Sequence, residues 1–186
     1  MMNRDEGEHL LKQHIDTESY LLPHSLETEA VMKALAERLG KDPDLWGLAG
    51  LLHDIDFSRT ENEPERHGLV AADILAEHDV PDELIEAIKA HNGENNGTPI
   101  ESGFHHALRC SETITGLISA AALVQPTKKL ASVKPKSVKK KFKDKAFARK
   151  VSRDTIRECE QVGVELPEFI EIALRAMQAI APRVGL

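Results

Sequence analysis

Aromatic side chains are scarce, cysteines number two, and no apolar run is long enough to cross a bilayer. Phe, Trp and Tyr make up 4% of the 186 residues. No long segment alternates apolar with polar positions, so the usual material of half-buried strands is missing. Cys110 and Cys159 cannot form a disulfide framework, and they predict reduced thiols in a cytoplasmic protein. Met1 to Glu6 carries no apolar leader, and nothing approaches the roughly 18 apolar residues of a membrane span. An all-α, cytoplasmic protein without membrane attachment is the expectation. Its length fits a single domain over 1–186, with a core at about 9–124, a basic segment at 128–153 and C-terminal helices at 154–181 packed on it.

The net charge of −7 hides an asymmetry. Between Lys128 and Arg153 twelve basic residues face one acid, Asp144, a local charge of +11 against −18 on the remainder. This stretch reads either as a solvated face or as a phosphate-binding flap. In the second reading Lys136, Lys139 and Lys140 meet phosphate, and Phe142 and Phe147 dock the flap. The acidic balance elsewhere and the lack of stacking aromatics argue against nucleic acid as the partner.

What is abundant is helical periodicity. A first helix is predicted from Glu6 to about Ile15, a second from His24 or Ser25 to Gly40, and a third from Asp42-Pro43 to His53. A polar loop follows at Asp56 to Arg66. Further helices are predicted at His67 to His78, around Leu84 to His91, and from Phe104 to about Val124. The third helix carries the run Leu45-Trp46-Gly47-Leu48-Ala49-Gly50-Leu51-Leu52, apolar all round, and so takes His53 and Asp54 into the interior. A buried carboxylate beside an imidazole needs a partner, and a metal ion supplies one. Spacing turns His24 (with Thr28, Val31 and Leu35), His67 (with Ala71 and Ile74), His91 (with Leu84 and Ile88) and Glu112 (with Leu108 and Thr115) inward as well.

The ordered set His24, His53-Asp54, His67, His91 and Glu112 resembles the HD superfamily of metal-dependent phosphohydrolases, and the small HDIG-type proteins in particular. Two positions depart from that pattern. Asp56 stands where HDIG members have Gly, and Glu112 in Leu108-Arg109-Cys110-Ser111-Glu112-Thr113 stands where the family has Asp. The resemblance implies an HD-type helical bundle in which His24, His53, Asp54 and Glu112 bind a divalent metal (Fe, Mn, Co, Ni, Zn or Mg), as one or two ions. It implies catalysis by Asp54, His67 and His91 on a small phosphomonoester or phosphodiester, possibly a nucleotide. His67 and His91 then either hold a second ion or meet the phosphate. Asp56 and His105 are candidates for supporting the ligands. Two alternatives stay open: a two-iron oxygenase of the same superfamily, and a non-catalytic module that binds metal or nucleotide.

Overall fold

A computed structural model describes residues 2–186, and among these the regular structure is entirely helical. Helix α1 (Arg4–His14) begins at Asn3, whose side chain accepts from the Asp5 and Glu6 backbone while Glu6 reaches back to the Asn3 N–H. Helix α2 (Leu21–Leu39) starts earlier than its sequence suggests. Pro23 sits in the first turn, where its missing N–H costs nothing, and Gly40 closes the helix in the left-handed region at φ 64°. Helix α3 (Pro43–Leu52) is capped by Asp42 and buries Trp46 through Leu52, as the apolar run requires.

The approach of α3 to α2 positions the site. A Cβ on Gly50 would lie 2.8 Å from the Thr28 carbonyl oxygen, so the two backbones are in contact there. Only glycine allows that crossing, and it brings the end of α3 beside the start of α2.

Where a polar loop was expected after Asp56, a single turn, α4 (Phe57–Thr60), forms instead, and α5 (Leu69–Leu75) is shorter than the predicted helix. Asp56 accounts for the late start of α5, since its buried side chain holds the backbone just after His67, as described below. Helix α6 (Asp82–His91) buries Leu84, Ile88 and His91. A further turn, α7 (Gly93–Asn96), interrupts the predicted loop before the central helix α8 (Gly103–Leu123), which Ser102 caps.

The basic stretch holds α9 (Pro135–Lys143), whose Val138 and Phe142 are buried. Next come α10 (Arg153–Arg157), a 3-10 segment at Glu158–Val162, and α11 (Leu166–Val184). Phe169, Ala173, Leu174 and Met177 of α11 join one hydrophobic cluster with residues of α1, α2, α3, α6 and α8.

A carboxylate in this core is conspicuous. Glu27 of α2 is 4% exposed and accepts from Ser119 Oγ of α8 at 3.0 and 3.1 Å. Burial raises its pKa to about 7, with the Ser119 hydroxyl acting in the opposite direction. The folded value therefore lies above the unfolded one, and ionising this group opposes folding progressively from about pH 4.5 to above 7. Glu27→Gln, which keeps an acceptor for Ser119, is expected to stabilise the protein by about 2–3 kcal/mol at pH 8 and to leave it unchanged near pH 4. Urea unfolding at the two pH values checks this, and an equal effect at both would contradict it.

Candidate metal centre

The four histidines singled out by spacing come together with Asp54, and their second nitrogens explain how. His53 donates from Nδ1 to the Gly50 carbonyl at 2.8 Å, and His91 donates likewise to the Ile88 carbonyl. His67 donates from Nδ1 to Asp56 Oδ1 at 2.8 Å. Thr115 Oγ1 gives its proton to the Glu112 carbonyl at 2.6 Å and accepts from His24 Nδ1 at 3.0 Å. With every Nδ1 committed as a donor, the neutral form of each ring keeps its lone pair on Nε2.

Those lone pairs converge in two pairs on one carboxylate. His24 and His53 bring Nε2 atoms to 3.2 Å of each other, and His67 and His91 to 2.9 Å. Asp54 Oδ2 lies 3.7 and 3.5 Å from the first pair, and Oδ1 lies 3.2 and 3.6 Å from the second. Two lone pairs facing at such distances repel unless a proton or cation lies with them. Ligand atoms about 2.1 Å from a shared ion and at right angles or a little wider are separated by about 3.0–3.4 Å. The residues thus fit two three-ligand groups, His24–His53–Asp54 and Asp54–His67–His91, joined through Asp54. Mixed imidazole and carboxylate donors suit Fe, Mn, Co, Ni or Zn.

Electrostatics agree with that use. Burial pushes His53 down to about 3, so it is neutral and able to ligate. Burial also works against the Asp54 charge, but His53, His67 and His91 outweigh it and hold the carboxyl well below its usual range. On His67 burial is outweighed in turn by hydrogen bonds to Asp54 and Asp56, which raise it to about 10 in the absence of a cation.

Glu112 lines the same cavity and is pushed up to about 8 by burial, with the Thr113 hydroxyl working against the rise and the Asp54 charge adding to it. Its oxygens fall outside the two close ligand groups. A divalent ion nearby would reverse the balance and favour the carboxylate.

Asp56 is fully buried and supports the site in two ways. One oxygen fixes the His67 ring, while the other accepts from the backbone of Gly68 at 2.9 Å and Ala71 at 3.0 Å. Gly68, at φ 86°, supplies the turn that makes this possible.

Other expected contributors lie elsewhere. His105 accepts from the Glu101 backbone at 3.3 Å, outside the cavity, because its turn of α8 faces the preceding loop. Lys136 and Lys140 are exposed and Lys139 pairs with Glu171 at 3.0 Å, since α9 packs Val138 and Phe142 inward and turns these three lysines away. None of the three lines the cavity.

Several contributors were missed. Asn92 and Asn96 both donate to the His67 carbonyl, at 3.0 and 2.9 Å. Arg109, 1% exposed, holds the His91 carbonyl at 3.0 Å and pairs with Glu158 and Glu94. The Asn residues beside His91 were a visible signal, but an arginine on an apolar helix face gives no hint of what it reaches.

Over residues 21–134 the chain matches the HD domain. It belongs to that family. The HD domain match takes in every residue of both ligand groups and Glu112. Among curated proteins, Ribonuclease Y of Aliarcobacter butzleri is 38% identical over 81 residues, 44% of this chain and 16% of that protein. Ribonuclease Y of Desulfotalea psychrophila is 28% identical over 137 residues, 72% of this chain and 26% of that protein. The chain therefore spans about a quarter or less of the length of these curated relatives. No solved structure matches it significantly. Among the described residues no helix is long and apolar enough to cross a membrane.

Proposed function

We propose that the chain is a metal-dependent phosphohydrolase acting on a small phosphorylated molecule, with a nucleotide within the range of substrates. The observation that carries this reading is the convergence of four imidazole Nε2 atoms, in two pairs, on the two oxygens of Asp54. A cavity of about 400 Å³ opens onto them, within the range that encloses a small ligand.

His24, His53, His67, His91 and Asp54 would hold the metal, with Glu112 as a further carboxylate. The chemistry a divalent ion would supply there is a lowered pKa for bound water and an offset to charge on phosphoryl oxygens. The chain's own residues do the rest. Asp56, Thr115 and the Gly50 and Ile88 carbonyls fix the imidazole tautomers, so each ring is aimed before substrate arrives. Asp54, held as an anion, accepts the proton of the attacking water or orients it. Phe57 closes one side of the cavity against bulk water.

The test is release of phosphate from a panel of nucleotides and sugar phosphates by protein reconstituted with manganese, iron or cobalt. Turnover that appears with metal and vanishes with a chelator supports the reading, and none with any substrate or metal refutes it. RNA phosphodiester cleavage is a second reading, favoured by the Ribonuclease Y relatives, and a labelled oligoribonucleotide in the same panel separates it. Oxygen consumption with two irons per chain would instead favour the two-iron reading.

A further inference from the structure

Part of the cavity wall lies beyond the matched region, which ends at residue 134. Lys150, Val151, Ser152 and Thr155 line the cavity together with Asp54 and Glu112. The loop that delivers them is held in an unusual way.

Arg153 turns its guanidinium back over that loop and donates to backbone carbonyls alone. Nε reaches Phe142 at 3.3 Å, and Nη1 reaches Ala148 at 3.0 Å and Val151 at 2.7 Å. Nη2 reaches Lys141 at 3.3 Å, Asp144 at 3.2 Å and Phe147. Carbonyls of an irregular loop that face inward need donors, and one planar cation supplies them all. The loop also holds Ala148 at φ 44°, a conformation that a residue with a side chain seldom adopts unless its surroundings impose it. So much fixation around residues 142–151 indicates that the placement of its last residues matters.

Arg109 and Lys150 are the Lys or Arg residues that line the cavity. Lys139 is paired with Glu171, Lys141 lies 3.8 Å over the Phe147 ring, and Arg109 is held between Glu94 and Glu158. Lys150 has no ion pair or hydrogen bond among the described residues, and it borders a cavity that also carries the Asp54 and Glu112 carboxyls.

We propose that Lys150 is the phosphate-binding residue of this cavity and that Arg153 is its positioning residue. This rests on the phosphohydrolase reading and narrows it: an ammonium without a protein partner, in the same cavity as the Asp54 carboxylate, suits a terminal, dianionic phosphate, so the substrate class is a compact phosphomonoester. Lys150→Gln removes the charge from an exposed side chain, and Arg153→Lys keeps a charge but loses the planar fork.

Binding of inorganic phosphate to the full chain in excess manganese, followed by calorimetry, tests the proposal without any turnover. Lys150→Gln is expected to weaken phosphate about tenfold, a change suited to one lost charge-assisted contact. Bound manganese should stay the same. Arg153→Lys should weaken phosphate similarly, and Lys140→Gln, on an exposed lysine outside the cavity, should not. Unchanged affinity in Lys150→Gln, or no phosphate binding by the unaltered protein, overturns the proposal. If Lys150-dependent phosphate binding is found while no phosphate ester is ever cleaved, the hydrolase reading fails and this site stands.

Discussion

Asp54→Asn is expected to fold normally and to lose metal-dependent hydrolysis by at least about a thousandfold, or ~4 kcal/mol of barrier. The two oxygens of Asp54 serve two histidine pairs at once, at 3.2–3.7 Å. An amide keeps the size and one oxygen, but it carries no charge, and its NH₂ group faces one pair with protons where a cation belongs. Metal content and turnover measured on the same preparation, beside a circular dichroism spectrum, make the comparison. Full activity in this variant against a confirmed substrate would sink the mechanism.

Asp56→Ala is expected to damage stability and the site together. It strands three buried donors, His67 Nδ1 and the backbone N–H groups of Gly68 and Ala71. Each stranded buried donor costs about 1–3 kcal/mol, so a loss of about 3 kcal/mol or more is expected in urea unfolding. Support of this kind for a ligating histidine is worth about 10–100-fold in metal affinity.

Asp56→Asn separates the two effects. Its carbonyl oxygen can still serve Gly68 and Ala71, so stability should largely return. Its NH₂ must then donate to His67 Nδ1, which forces the proton onto Nε2 and removes the lone pair aimed at Asp54. A variant with near-normal stability but impaired metal binding is the expected result. Equal impairment of both properties would argue that Asp56 is purely structural.

The candidate ligands are more legible in the sequence than their supports. His24, His67 and His91 sit at helical spacings on apolar faces, and His53 and Asp54 follow an apolar run, so the local pattern turns them inward, and the helices that carry them can be located from caps such as Asp42-Pro43 and stops such as Gly40. Asp56 was visible as a departure from the HDIG pattern, but its three partners lie eleven to fifteen residues away across a turn, which no local period encodes. Thr115 was seen on the inner face of α8, but its bond to His24 spans 91 residues. The lysines were harder still. Charge counting finds a basic stretch, but which lysine meets the cavity depends on the packing of α9 and on the fold of the loop beneath Arg153. Lys136, Lys139 and Lys140 lie where the charge is densest, whereas Lys150 owes its place at the cavity to the chain's path.

The contact at Gly50 has a consequence for the order in which the centre is assembled. Because α2 and α3 touch backbone to backbone beside Thr28, and the Nδ1 hydrogen bonds to Gly50 and Thr115 hold the two rings, the separation of His24 from His53 is set by the packed helices. The loss of freedom needed to collect these nitrogens is therefore incurred as the helices pack, before any ion arrives. An ion bound there would be selected by charge and radius against a ready-made frame, and a metal that prefers wider or flatter geometry would have to deform the helix pair to be accepted.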